Sequence, residues 1–123
     1  MRVKKVKVGI KSLKEILKDT ADVIKRVEKG EHLKPVKEPE IYFTSFEALR
    51  KALTPKRLEL MHIIKTKKPS SINELARVAR RDVKNIAEDV KYLEQMGLIE
   101  KKAENNKTTP IIRYDRIALE IAV

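Results

Sequence analysis

Four side chains that could hydrogen-bond to the edges of nucleic-acid bases lie close together in the chain. Arginine suits a bidentate contact with guanine, asparagine with adenine, and glutamate with the amino group of cytosine. Any one of these side chains could equally lie on a solvated helix face. We therefore predict base contacts for the group as a whole. The predicted base-contacting residues are Arg81, Lys84, Asn85 and Glu88.

Basic and polar residues on either side of this group fit contacts with phosphate. Arg77 and Arg80 precede it, and a polar segment follows it. That segment fits a hairpin tip that contacts the DNA backbone or the minor groove, and it equally fits a hairpin that is only soluble. Its candidate residues are Lys101, Lys102, Asn106 and Lys107, with Asn105 and Thr108 beside them. Glu88 and Asp89 oppose the interpretation because adjacent acids repel phosphates, unless Asp89 pairs with a lysine at the helix edge.

Two short helices are predicted to position these side chains. Ser71 and Glu74 have the spacing of a capping box, which starts a helix. Asp82 is a plausible N-cap for the second helix, and Gly97 supplies the left-handed position that ends it. Helical spacing predicts that the buried stripe of the second helix is Val83, Ile86, Val90 and Leu93.

A β-hairpin is predicted after the second helix. Residues 98–102 read as a strand, residues 105–110 as a loop, and residues 111–114 as the returning strand. The order predicts a helix-turn-helix followed by a wing, with the reading helix at about 82–96 and the wing at about 101–110.

The segment from about Tyr42 to the C-terminus resembles the archaeal MarR-like winged helix-turn-helix transcriptional regulators. The resemblance is carried by the SINELA entry, the NIAEDVKYLEQMGLIEKK ending of the second helix and the PIIRY return strand. It implies an α+β winged helix-turn-helix that binds double-stranded DNA. It also implies a homodimer, formed through residues 1–30 and 117–123 outside the winged core.

The composition of the chain favours some classes of function and excludes others. The chain has 123 residues and a formal net charge of +11, which favours a polyanionic partner. It contains no cysteine, so disulfides and cysteine-based metal sites are excluded. The two histidines are isolated, and no glycine-rich phosphate loop or nucleophile motif occurs. No apolar run approaches a membrane span. We therefore expect a cytoplasmic protein that is not an enzyme, needs no metal or cofactor and does not interact with a membrane.

The rest of the chain is predicted to form a strand–helix appendage. Residues 3–10 alternate like a strand, residues 12–29 read as a helix, and residues 31–40 read as a linker. We predict domains at 1–40 and 41–123. The apolar residues of the last segment change phase near Asp115, which predicts a bulge, a bend or a change of sheet. Residues 117–123 are expected to pair with the 3–10 strand, in the same chain or in a partner.

Helical spacing also predicts the inward-facing residues of two other helices. The first helix is predicted to have one wide apolar stripe, which serves a dimer or covers the domain's own sheet. A helix capped by Thr54 is expected to turn Leu58, Met61 and either Ile64 or Leu60 inward. The stripe of the first helix comprises Leu13, Ile16, Leu17, Val23, Ile24 and Val27.

Two classes of function fit the sequence. The leading hypothesis is a sequence-specific DNA-binding transcriptional regulator. The alternative is a winged-helix module that binds another protein, either in an antitoxin-like role or inside a transcription or replication assembly. Non-specific architectural DNA binding is a third reading, distinguished by its lack of sequence preference.

Overall fold

The computed structural model describes residues 4–32 and 40–123. Val3 and residues 33–39, which belong to the predicted first strand and linker, lie outside the described residues. In chain order the elements are β1 (Lys5–Ile10), α1 (Leu13–Glu28), β2 (Glu40–Phe43), α2 (Phe46–Ala52), α3 (Pro55–Lys67), α4 (Ile72–Ala79), α5 (Val83–Gln95), β3 (Glu100–Glu104), β4 (Lys107–Ile111) and β5 (Arg116–Glu120).

The chain divides into two compact units. The first comprises residues 1–50 and 116–123, and the second comprises residues 51–115. The predicted domains, 1–40 and 41–123, are divided at a different position, and that division stays a prediction.

A parallel sheet organises the first unit, with strand order β2-β1-β5. In the pairing of β1 with β5, Val6 lies opposite Ile117 and Val8 opposite Leu119. Val6 and Val8 are fully buried because β1 is the central strand. The predicted pairing of residues 117–123 with the first strand is confirmed for residues 117–120, within one chain, and Arg116 pairs as well. The predicted change of sheet is confirmed too, because β4 belongs to a separate two-stranded sheet.

The helix of the first unit exposes its apolar side. Ser12 caps α1 by accepting a hydrogen bond of 3.2 Å from the backbone N–H of Glu15. None of the 16 residues of α1 is buried. The predicted strand–helix appendage is therefore present, and the predicted stripe on its helix lies open.

The second unit is a winged helix-turn-helix, which confirms the predicted α+β fold class. Three of the four residues predicted for the stripe of α5 are fully buried, namely Ile86, Val90 and Leu93. They share the core with residues of α3, α4 and the segment after α5, namely Leu60, Met61, Ile64, Leu75, Ala76, Leu98 and Ile99.

Two predicted core positions are wrong. Val83 is 44% exposed and Leu58 is 45% exposed. Val83 is the first residue of α5, directly after its cap Asp82, and Leu58 is the fourth residue of α3, whose cap is Thr54. The buried residues begin at Ile86 in α5 and at Leu60 in α3.

The turn of the wing hairpin is shorter than predicted. β3 and β4 pair antiparallel, and Glu104 lies opposite Lys107. Asn105 and Asn106 alone connect them, with φ angles of 51° and 63°. The predicted loop at 105–110 is therefore wrong, because the return strand begins at Lys107. Asparagine tolerates the left-handed conformation that both central positions of a two-residue hairpin turn require.

Candidate nucleic-acid interface

The helix-turn-helix begins at a cap that satisfies its own backbone. The Ser71 hydroxyl accepts a hydrogen bond of 3.1 Å from the backbone N–H of Glu74. The Glu74 carboxylate in turn accepts from the backbone N–H of Ser70 at 3.0 Å and from the Ser70 hydroxyl at 2.5 Å. The reciprocal bond of the predicted capping box thus goes to Ser70. These bonds lower the pKa of Glu74 below its ordinary value of 4.5.

The turn between the two helices contains an arginine in a left-handed conformation. Arg80 has φ 56° and ψ 44°, and its backbone N–H donates to the carbonyls of Ala76 and Arg77. Such a conformation favours glycine, because the Cβ of other residues approaches the following carbonyl oxygen. The turn thus carries strain at a position where the side chain of Arg80 is exposed to solvent.

Asp89 of α5 lies between two arginines. The Asp89 carboxylate is 3.2 Å from Nε of Arg57 and 2.9 Å from Nη2 of Arg81. The side chains of Asp89, Arg57 and Arg81 are only 15%, 20% and 25% exposed. The expected lysine partner of Asp89 is therefore replaced by two arginines, and the acid on the predicted reading helix is neutralised inside the protein.

Arg57 is a residue that the sequence analysis missed. Besides pairing with Asp89, its Nη1 donates to the backbone carbonyls of Lys51 at 2.8 Å and Ala52 at 3.1 Å. Its guanidinium also stacks over the ring of Tyr92, 4.1 Å from the ring centre. Arg57 and Asp89 are 32 residues apart, so no short spacing in the sequence could have signalled this pair.

The predicted base-contacting residues fall into two groups. Lys84, Asn85 and Glu88 are exposed on the N-terminal half of α5. Arg81 differs, because it is held by Asp89, and its Nη1 is buried without a hydrogen-bond partner. The two predicted phosphate contacts, Arg77 and Arg80, are exposed at the end of α4 and in the turn. The exposed group on α5 also includes Val83, which the sequence analysis had placed in the core.

All four predicted wing residues are exposed, and two of them have acidic neighbours. Lys101 lies 3.6 Å from Glu94, and Lys102 lies 3.7 Å from Glu104. Asn106 occupies the turn, and Lys107 follows it at the start of β4.

Two hydrogen bonds involve the wing and the segments that flank it. The Thr109 hydroxyl donates to the backbone carbonyl of Ser70 at 2.7 Å. The Tyr114 hydroxyl donates to the backbone carbonyl of Leu98 at 2.5 Å, and burial raises the pKa of Tyr114. The first bond joins β4 of the wing to the residue before the cap of α4, and the second joins the two segments that flank the hairpin.

Neither a membrane-spanning helix nor a metal-binding cluster occurs in the described residues. Across residues 4–32 and 40–123, no helix combines the length and the apolar character needed to cross a membrane. The same residues contain no group of three or more His, Cys, Asp or Glu side chains placed to hold a metal ion.

Comparisons with known proteins identify a family. No curated protein matches the sequence. A crystal structure of a predicted DNA-binding transcriptional regulator from E. coli is similar to the chain, with 19% sequence identity and a TM-score of 0.49. The similarity covers 77% of this chain and 84% of that one. The family HVO_A0114 matches residues 52–119, which span α3, α4, α5 and the wing. The chain therefore belongs to the HVO_A0114 family.

Proposed function

We propose that the protein is a transcriptional regulator that binds specific sequences of double-stranded DNA. In this proposal α5 enters the major groove and the β3–β4 hairpin contacts the backbone or the minor groove, as in MarR-like regulators. The observation that carries the proposal is the exposed N-terminal half of α5 in a winged helix-turn-helix, with Lys84 and Asn85 open to solvent. The second helix of such a motif reads base edges mainly through its N-terminal residues.

The side chains on this surface match the chemistry of base edges. Asn85 can form two hydrogen bonds with adenine, Lys84 can donate to guanine, and Glu88 can accept from cytosine. Val83, 44% exposed, adds an apolar group that suits the methyl group of thymine. The surface can therefore discriminate bases rather than only attract phosphates.

The electrostatics of α5 support the same proposal. A free carboxylate at Asp89 would repel the DNA backbone, but Arg57 and Arg81 neutralise it. Arg77 and Arg80 remain exposed beside the helix and suit contacts with phosphate oxygens. Arg81, in contrast, is proposed to act mainly by holding Asp89.

A homodimer is part of the proposal. Two copies would present two reading helices about one DNA turn apart and would select a palindromic site. We further propose that the protein acts in the cytoplasm by binding alone, without catalysing a reaction.

Binding to another protein is the second candidate function. The observation that favours it is the acidic partner beside each of two wing lysines, Glu94 beside Lys101 and Glu104 beside Lys102. Such pairs weaken the attraction of the wing for phosphate, whereas a protein partner can exchange ion pairs with them.

Selection from a pool of randomised DNA duplexes tests the DNA-binding proposal. The wild type should enrich a recurrent, palindromic sequence. The double variant Lys84→Ala, Asn85→Ala should fail to enrich it, because the base contacts are lost. Lys25→Ala on α1 removes the same charge from a helix outside the helix-turn-helix and should enrich the wild-type sequence. Enrichment of no sequence by the wild type would contradict the proposal and favour the protein-binding alternative.

A further inference from the structure

Helix α1 presents an apolar face that the described residues of the chain leave uncovered. Five large aliphatic side chains on it are between 42% and 61% exposed, namely Leu13, Leu17, Val23, Ile24 and Val27. An amphipathic helix of this kind normally buries its apolar stripe. The stripe therefore requires a partner surface.

The spacing of this face is that of a helix pair. Leu13, Leu17, Thr20, Ile24 and Val27 alternate in steps of four and three residues. This repeat of about 3.5 residues keeps one seam of a helix turned towards a second helix along its whole length.

Thr20 fits the middle of the seam. Its hydroxyl donates a hydrogen bond of 2.9 Å to the backbone carbonyl of Ile16, one turn earlier. Burial of Thr20 would therefore leave no unpaired hydroxyl, and its methyl group remains as the apolar contact.

The charges of α1 identify the partner. The helix contains four basic residues (Lys14, Lys18, Lys25, Arg26) and four acidic residues (Glu15, Asp19, Asp22, Glu28), although the whole protein carries a net charge of +11. A net-neutral helix is not attracted by charge to DNA or to an anionic membrane surface. It can, however, approach a second copy of itself without repulsion.

We infer that α1 pairs antiparallel with α1 of a second copy, with the two-fold axis close to Thr20. In this arrangement Leu13 contacts the partner's Val27, and Leu17 contacts the partner's Ile24. The inference rests on the homodimer proposed above and specifies its interface.

The edges of the stripe select the antiparallel direction. Lys14, Ala21 and Glu28 lie along one edge of the stripe, and Ile16 and Val23 lie along the other. In an antiparallel pair each edge meets the same edge of the partner. Lys14 then faces the partner's Glu28, while Ile16 faces the partner's Val23.

A parallel pair would combine the two edges differently. It would bring opposite edges together, so that Val23 would face the partner's Glu28 and Lys14 would have no acidic partner across the interface. Pairs of opposite charge beside the seam set the orientation of paired helices.

Single-cysteine variants test the pairing cleanly, because the natural chain contains no cysteine. The variants are Thr20→Cys, Leu13→Cys and Val27→Cys, with Asp22→Cys on the polar face of α1 as the control. The full-length proteins are treated with a short bismaleimide cross-linker and separated under denaturing conditions.

The antiparallel pair predicts a distinctive pattern. Thr20→Cys should cross-link to itself, and a mixture of Leu13→Cys with Val27→Cys should cross-link although neither does so alone. Asp22→Cys should remain uncross-linked. Leu13→Cys and Val27→Cys cross-linking each to themselves would indicate a parallel pair and overturn the inference. An Asp22→Cys dimer as abundant as that of Thr20→Cys would also overturn it.

Sedimentation and DNA binding separate this inference from the proposed function. The double variant Leu17→Asp, Ile24→Asp should weaken dimerisation about a hundredfold or more, because it places charges in the seam. A wild type that binds specific DNA but sediments as a monomer would overturn the interface and leave the DNA-binding proposal standing. A dimer with the predicted cross-links that binds no DNA would support the interface and overturn the DNA-binding proposal.

Discussion

Asp89 is an acidic residue on α5, the helix that we propose to read DNA. Two arginines at 3.2 Å and 2.9 Å hold its carboxylate in a largely buried position. The ion pair with Arg57 joins α5 to α3, since Arg57 belongs to α3 and Asp89 to α5. The acid therefore helps to position the helix instead of opposing its function.

Replacing Asp89 should destabilise the second unit. Asp89→Asn leaves two largely buried guanidinium groups without a negative partner, which should lower the free energy of unfolding by about 1–3 kcal/mol. Urea denaturation followed by circular dichroism measures this change. The control is Glu88→Gln, an exposed neighbour on the same helix, which should change stability by less than about 0.5 kcal/mol. Equal effects of the two variants would contradict the role of the arginine pair.

Arg80 combines backbone strain with an exposed charge, and two variants separate these properties. Arg80→Gly should raise the free energy of unfolding by about 0.5–1 kcal/mol, because glycine adopts φ 56° without strain. Arg80→Ala keeps the strain and should bring no such gain. Both variants should weaken DNA binding through the lost phosphate contact. Unchanged DNA affinity in both would remove Arg80 from the proposed interface.

Glu74 makes the start of α4 dependent on pH. Hydrogen bonds from Ser70 lower the folded-state pKa of Glu74 below 4.5, so the ionised form stabilises the fold. This contribution is fully present above pH 4.5 and is lost as the pH falls through the lower folded-state pKa. Glu74→Gln should therefore melt below the wild type at pH 7 and at the same temperature in strong acid. A melting difference that does not depend on pH would contradict this assignment.

At the scale of elements, the wing contains lysines in different surroundings. Lys102 lies 3.7 Å from Glu104, whereas Lys107 lies opposite Glu104 across the hairpin and next to the turn. Lys107→Ala should weaken binding to all sequences alike and reduce the slope of log affinity against log salt by about one. Glu104→Gln should strengthen binding, because it frees Lys102 for phosphate. The opposite sign for Glu104→Gln would mean that the wing does not meet the DNA backbone.

The same elements show what the sequence could predict. Helix caps, most positions of the helical stripes and the break in the strand pattern near Asp115 depend on neighbouring residues, so local spacing can predict them. The turn of the wing was predicted too long, because two consecutive asparagines in left-handed conformations were not anticipated. Val83 is exposed although it continues the apolar spacing of α5. Helical spacing shows which face of a helix is apolar, but not how far along the helix that face is covered by the core.

Contacts between distant residues could not be predicted at all. The pairing of Arg57 with Asp89 joins residues 32 positions apart, and only the fold brings them together. It also changes the interpretation of Arg81, which the sequence placed among the base-contacting residues and the structure places in an ion pair. The exposed positions Lys84, Asn85 and Glu88 were identified because they lie off the buried stripe of one helix.

At the scale of the whole molecule, a net charge of +11 attracts any DNA at low salt. Affinity alone therefore cannot distinguish a regulator from a protein that binds DNA non-specifically. Sequence preference that persists as the salt concentration rises is the property that separates them, because phosphate contacts weaken with salt while base discrimination remains.

The most direct test is equilibrium binding of the purified protein to the DNA upstream of its own gene, against a scrambled duplex, across a salt series. We expect a large preference for the natural sequence near physiological salt, and its loss in the double variant Lys84→Ala, Asn85→Ala. Weak binding that is indifferent to sequence and disappears as salt rises would contradict sequence-specific DNA binding.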